Sequence, residues 1–161
     1  MKRLLISEEQ YSRIENILKE VWSDDEWEQK KSEINKRIAD NHQYHIRSIS
    51  NNLNKIIKEY NDYTISNLFS HDSSISFHFR QFDFGSIIRY VQEYLSKYQQ
   101  AIKKLKNIYK LQKDLSISDS ELDGEIFETS KNLLERLQKE TNVLSRFVKV
   151  FEELKSLTQN Y

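Results

Sequence analysis

The 161-residue chain contains no proline, no cysteine and only two glycines, Gly85 and Gly124. Proline breaks helices because it lacks an amide donor and clashes with the preceding turn, and glycine weakens helix interiors. A chain of this length that avoids both is predicted to consist of long α-helices. The absence of cysteine excludes disulfides, thiolate nucleophiles, zinc–cysteine sites and iron–sulfur clusters.

Long hydrophobic runs are missing too. No stretch approaches the ~20 apolar residues that cross a membrane, and the apolar run in residues 1–6 is too short for a secretory signal peptide. We therefore expect a cytoplasmic protein that does not associate with a membrane. The abundance of Lys, Asn, Ile and Tyr is typical of an AT-rich genome, such as that of a low-GC bacterium or its phage.

Charge is balanced, with 25 basic and 25 acidic residues. A dedicated nucleic-acid binder normally carries a basic excess, so the balance argues against that class. Hydrophobic residues make up 37% and charged residues 31% of the chain. This composition suits long amphipathic helices that each bury one stripe and solvate the rest.

Helix boundaries are marked by Ser-x-x-Gln and Ser-x-x-Glu capping boxes that begin at Ser7, Ser23 and Ser118. They divide the chain into helices over about 8–22, 24–70, 86–114 and from 121 to near the C-terminus. Because short joints make sequential helices antiparallel, we predict an all-α, elongated antiparallel bundle forming one domain over 1–161. Three helices are long and the N-terminal one is shorter. A coiled-coil-like seam runs along the second helix from Ile46, and a register slip near Asp40 leaves its continuity open.

The segment before the third helix holds four of the eight phenylalanines: Phe77, Phe79, Phe82 and Phe84. Alternation of Ile75, Phe77 and Phe79 predicts irregular, extended structure near 70–85. The odd step between the two Phe pairs puts them on opposite faces of a strand, so we expect one pair to be less buried. Three interpretations stay open: a plug for the end of the bundle, a docking element for a partner, or a strand that pairs with residues 1–6 or another chain.

A basic stripe is predicted on the third helix, where Lys103, Lys106, Lys110 and Lys113 recur at helical spacing. No acidic residue lies among them in the sequence. The stripe could meet nucleic-acid phosphates or an acidic protein surface. We favour compensation by acidic residues of the neighbouring helices, because charge runs are usually solvated or internally paired.

Metal and cofactor sites are not predicted. His42 and His45 share a helix face, but a metal site would need a third ligand from another helix, and the chain has no Glu-x-x-His motif. It also lacks a glycine-rich phosphate loop, a Gly-x-Ser-x-Gly elbow, a His-Glu-x-x-His motif and an EF-hand loop.

The spacing from Arg37 to His42, Arg-x4-His, resembles the signature of HEPN ribonucleases. In that all-helical family, the arginine and histidine of two protomers meet at a dimer interface and cleave RNA. This chain has Ile38 directly after the arginine, where the family usually has a polar residue, and the motif lies early in the chain rather than late. The resemblance implies a metal-independent RNase that uses Arg37 and His42.

The hypothesis that fits these observations best is a non-enzymatic protein-interaction module: an accessory subunit, adaptor or inhibitor. It would act through helical faces and the aromatic segment, and its partner would be another protein or a second copy of itself. The alternatives are a nucleic-acid-associated protein that uses the lysine stripe and an HEPN-like RNase.

Overall fold

The computed structural model describes residues 8–70 and 74–159. In these ranges 86% of the residues are helical and none lies in a strand, which confirms the all-α fold with three long helices and a shorter N-terminal one. The predicted cap at Ser7 and the predicted strand partner at residues 1–6 lie outside the described residues. The helices are α1 (Glu8–Leu18), α2 (Asp24–Tyr60), α3 (Ile65–Leu68), α4 (Ser74–Arg80), α5 (Phe84–Asp114) and α6 (Gly124–Gln159), with a 3-10 turn at Asp119–Glu121.

The second capping box starts α2 as predicted. The Ser23 amide donates to the Glu26 carboxylate at 3.0 Å, and the Glu26 amide donates to the Ser23 hydroxyl at 3.3 Å. The helix then runs without a break past Asp40, so the register slip there does not interrupt it.

The end of α2 differs from the prediction. The helix stops at Tyr60 instead of continuing to about residue 70. A separate short helix follows, in which the Thr64 side chain accepts a hydrogen bond from the Asn67 amide at 3.0 Å. Thr64 is an effective N-cap, and this signal outweighs the apolar spacing that appeared to extend α2.

The extended structure predicted near 70–85 was also wrong over residues 74–80, which form α4. Ile75 and Phe79 are four residues apart and share one helix face, whereas Phe77 lies on another and is 59% exposed. Three alternating apolar residues fit either a strand or a helix, so this short pattern could not separate the two.

The chain divides into two compact units, Met1–Ser48 and Ile49–Tyr161; the single domain stays a prediction. In the first unit, Trp27 is buried and stacks on Trp22, with ring centroids 6.4 Å apart. Its indole N–H donates to the Glu15 carboxylate at 3.2 Å, and this bond lowers the pKa of Glu15. These contacts hold α1 against the start of α2.

In the second unit, α5 and α6 run antiparallel. The end of α5 meets the start of α6, where the Tyr109 and Ser130 hydroxyls lie 2.7 Å apart, and Gly85 at the start of α5 lies beside Lys155 near the end of α6. The last turns of α2 complete the core. Its buried side chains include Ile49, Leu53, Ile56, Tyr60, Ile87, Val91, Tyr98, Ala101, Leu105, Leu133, Leu137, Leu144 and Val148.

A polar network crosses this core at the end of α2. The Arg136 guanidinium donates to the carbonyl of Tyr63 at 2.7 Å, to that of Tyr60 at 3.4 Å and to the Glu140 carboxylate at 3.0 Å. The Tyr98 hydroxyl lies 2.9 Å from the Tyr63 carbonyl and 2.5 Å from Glu140 Oε2. Burial raises the pKa of Tyr98, and the bond to Glu140 raises it further.

We predict that Tyr98→Phe lowers the free energy of unfolding by about 1–3 kcal/mol, because it removes a part-buried hydrogen bond to the charged Glu140 carboxylate, which then relies on Arg136 as its donor. The raised pKa of Tyr98 adds a pH dependence. The neutral Tyr98 hydroxyl contributes fully to the free energy of unfolding below pH about 10, which is the pKa of tyrosine in the unfolded chain. This contribution is lost as the pH rises further. Urea unfolding between pH 7 and 11 should therefore show a smaller alkaline loss in the variant.

The matched control is Tyr44→Phe, since Tyr44 is 67% exposed. It should unfold like the wild type. Equal stability of Tyr98→Phe and the wild type at pH 7 would contradict the role given to the network.

Candidate functional site: an aromatic groove

A groove of about 340 Å³ opens between α6 and the α3–α4 region of the second unit. Its walls are aromatic and its rim carries one cation. We call it the aromatic groove; its lining residues are Phe69, Ile75, Ser76, Phe79, Arg80, Phe147 and Phe151.

Ring contacts hold the groove in shape. Phe147 packs against Phe69 with centroids 4.8 Å apart and stacks on Phe151 at 4.2 Å. Phe151 in turn contacts Phe79 at 6.4 Å and Phe84 at 5.7 Å. Such aromatic pairs stabilise by about 0.5–1.5 kcal/mol beyond the area they bury, so the wall is a connected unit and not a set of loose side chains.

The turn after α4 places an aromatic side chain in solvent. The Phe82 amide donates to the Phe79 carbonyl at 3.1 Å, and the Asp83 amide donates to the His78 carbonyl at 2.9 Å. This is the Schellman pattern, in which glycine usually occupies the left-handed position. Phe82 holds that position with φ of 53° and is 74% exposed. The backbone here is strained around an exposed ring, a combination that is a reason to look for a function.

Asp83 joins this turn to α5 and fixes its direction. Its carboxylate accepts from the Ser86 hydroxyl at 2.7 Å and from the Ser86 amide at 3.2 Å. These bonds lower the pKa of Asp83, and His78 Nδ1, 3.2 Å away, lowers it further. With Asp83 as its N-cap, α5 begins at Phe84, two residues before the start near Ser86 that the sequence predicted.

The four predicted aromatic residues separate into two classes. Phe77, Phe79 and Phe82 are 59%, 54% and 74% exposed, and Phe79 lines the groove. Phe84 is 8% exposed and belongs to the core, so its assignment to a docking surface is corrected. The sequence analysis expected Phe77 to share a strand face with Phe79, and Phe82 with Phe84. This expectation was wrong because residues 77 and 79 lie in a helix, while residues 82 and 84 lie at a turn between two helices.

The rim cation, Arg80, is exposed and makes no ion pair with any carboxylate in residues 8–70 and 74–159. A guanidinium beside an apolar wall can bind a carboxylate in bidentate geometry while the wall takes an apolar group. The groove thus suits an apolar side chain with an acidic neighbour.

The lysine stripe lies on the exposed side of α5. Lys103, Lys106, Lys110 and Lys113 are all exposed, and no ion pair is recorded for them in the part of the chain that the structure describes. Compensation by an acidic neighbour is seen instead at Lys104, whose ammonium lies 3.2 Å from the Tyr60 hydroxyl and 3.6 Å from Glu59.

The remaining sequence-based candidates lie on α2. Arg37 is exposed and His42 half-buried; five residues apart, they diverge by about 140° around the helix axis. The RNase activity implied by the HEPN resemblance stays a prediction. Within the described ranges, no three His, Asp or Glu side chains are arranged to hold a metal ion. No helix in those ranges is long and apolar enough to span a membrane.

No family model, curated protein or solved structure matches this chain.

Sequence reasoning missed most of the groove wall. Phe147 and Phe151 recur at the helical spacing of the buried residues of α6, and that spacing does not distinguish a groove wall from the core. Phe69 gave no signal, since it follows α3, which the sequence did not separate from α2. Arg80 was visible only as one cation in an aromatic segment.

We predict that Phe84→Ala lowers the free energy of unfolding by about 3–5 kcal/mol, as expected for a buried ring. Phe82→Gly should leave stability within roughly 1 kcal/mol. Relief of left-handed strain of about 1–2 kcal/mol opposes the greater freedom of glycine in the unfolded chain. Urea unfolding of both variants measures the difference, and an equal loss in the two would place Phe82 in the core.

Proposed function

We propose that this protein is a non-enzymatic protein-interaction module, an accessory subunit, adaptor or inhibitor, that acts in the cytoplasm. It takes an apolar segment of another protein into the aromatic groove. The observation that carries the proposal is the aromatic groove together with three exposed phenylalanines, Phe77, Phe79 and Phe82, of which Phe79 lines the groove. Exposed aromatic side chains are common anchors of protein interfaces, and the pocket volume lies in the range typical of binding clefts.

The proposal commits to the chemistry of the partner segment. An apolar side chain of the partner enters between Phe79 and Phe147, and an acidic residue next to it pairs with Arg80. Because the groove wall is held by ring contacts before binding, little conformational entropy is lost on association.

We predict that Phe79→Ser weakens binding of the partner at least about tenfold without unfolding the protein, since the ring is half exposed. The partner is first captured from an extract of the source organism with the wild-type protein, then purified and titrated by calorimetry. Arg80→Gln should weaken binding less than Phe79→Ser does. It should have this effect only when the partner segment carries the acidic residue.

Two matched variants define the surface. Phe77→Ser changes an equally exposed ring outside the groove; a loss of binding there would extend the docking surface around α4. Tyr44→Ser, an exposed aromatic of the first unit, should bind like the wild type. Full binding by Phe79→Ser, or a loss in all three variants alike, would overturn the groove as the binding site.

A second candidate function, association with nucleic acid, is favoured by the four exposed lysines of α5. Their spacing of three and four residues gives a stripe about 15 Å long at 1.5 Å per residue. A single row of lysines along a helix can neutralise several phosphates without reading sequence.

For this candidate we predict that changing Lys103, Lys106, Lys110 and Lys113 together to Gln reduces the slope of log K against log salt by about 3–4 on duplex DNA. The control changes four exposed lysines of α2, Lys30, Lys36, Lys55 and Lys58, and removes the same charge. Fluorescence anisotropy at several salt concentrations measures both. A wild-type protein that binds neither DNA nor RNA at low salt would eliminate this function.

A further inference from the structure

The C-terminal half of α6 exposes a second apolar stripe beside the one that faces the core. Val143, Val150, Leu154 and Leu157 are 43%, 53%, 36% and 58% exposed. Together with half-buried Phe147 they follow a spacing of four, three, four and three residues, the repeat of a two-stranded coiled coil. We call these five residues the α6 seam.

The seam is distinct from the core-facing stripe. Leu144, Val148 and Phe151 of the same helix are buried within the second unit. Leu154, which is 36% exposed, belongs to the seam. Half of the circumference of α6 is therefore apolar, and the structure covers only part of it within residues 8–70 and 74–159.

The two flanks of the seam differ in charge. On the outer flank lie Arg146 and Glu153, both exposed and seven residues apart on one line of the helix. On the inner flank lie Leu144 and Phe151, which are both buried, and Phe151 lines the aromatic groove. In coiled coils the flanking positions set partner choice and orientation.

We propose that the occupant of the seam is a second copy of this chain, paired antiparallel through α6. In such a pair Val143 packs against Leu154 of the second copy, and Phe147 packs against Val150 of the second copy. Arg146 then lies opposite Glu153 of the second copy. The two-fold symmetry repeats every contact, so the dimer gains two intermolecular ion pairs.

Charge selects this arrangement over its neighbours. If the antiparallel pair is shifted by one heptad in one direction, Glu153 faces Glu153 of the second copy. If it is shifted in the other direction, Arg146 faces Arg146 of the second copy. A parallel pair places Arg146 beside Phe151. Like charges at these positions are unfavourable, so only one of these arrangements satisfies both charged residues.

The size of the seam sets the expected affinity. Leu157 lies fourteen residues after Val143, so the seam is about 21 Å long at 1.5 Å per residue. A helix pair of this length is at the small end of specific interfaces, which bury ~800 Å² per partner. We therefore expect a dissociation constant on the order of micromolar.

The test uses charge reversal on the full chain, with sedimentation equilibrium at concentrations from about one to several hundred micromolar to cover that range. The wild type should shift from a mass of 19.4 kDa towards twice that value. Arg146→Glu and Glu153→Arg should each weaken self-association at least about tenfold, because each places like charges in contact twice. The double variant Arg146→Glu/Glu153→Arg should recover it.

A mixture of the two single variants gives the sharpest result. Neither should pair well with itself, but a mixed pair juxtaposes Glu with Arg at both positions and should form a heterodimer. Lys149→Glu and Glu152→Lys, on the opposite side of α6, are the controls and should dimerise like the wild type. Circular dichroism confirms that each variant stays folded.

A monomeric wild type at the highest concentration would overturn the proposal, as would dimers that are insensitive to both reversals or single variants that fail to pair when mixed. These outcomes are separate from the proposed function. Phe79→Ser changes partner binding but lies outside the seam, and the charge reversals leave the groove wall intact.

Discussion

The end of α2 is the constraint on which the second unit depends. A helix leaves its last carbonyls without partners inside the helix, and burying them unpaired would cost free energy. Arg136 and Tyr98 donate to the carbonyls of Tyr60 and Tyr63, while Glu140 neutralises the arginine. Tyr98 of α5 and Arg136 of α6 thus bind the same turn, and Glu140 of α6 bonds to both of them. These bonds fix where α2 stops and where the chain turns towards α3.

That fixed turn explains how two very short helices can form a groove. α3 has 4 residues and α4 has 7, and helices of this length are not stable alone in water. They persist because Phe69 and Ile75 pack onto the second unit, while the Phe82 turn directs the chain into α5. The strained left-handed backbone at Phe82 is tolerated because Asp83 caps the next helix immediately.

The sequence predicted the long helices, because proline is absent and the apolar residues of α2, α5 and α6 recur at helical spacing over many turns. It did not predict the break at Tyr60, since the polar network that fixes it joins residues more than seventy positions apart. Nor did it predict the groove. Helical spacing identifies an apolar face, but it cannot say which part of that face another element will cover, as Phe151 and Leu154 show.

The groove and the α6 seam meet at Phe147, which stacks on Phe151 on one side and belongs to the seam on the other. If both proposals hold, a second copy on the seam restricts the same ring that an occupant of the groove contacts. Two ligands that order one side chain are thermodynamically linked, and the linkage is reciprocal. Self-association would then change the affinity of the groove for its partner by the same factor by which the partner changes self-association. Under these two proposals, the apolar half of the α6 surface would carry two binding surfaces and a physical route for coupling them.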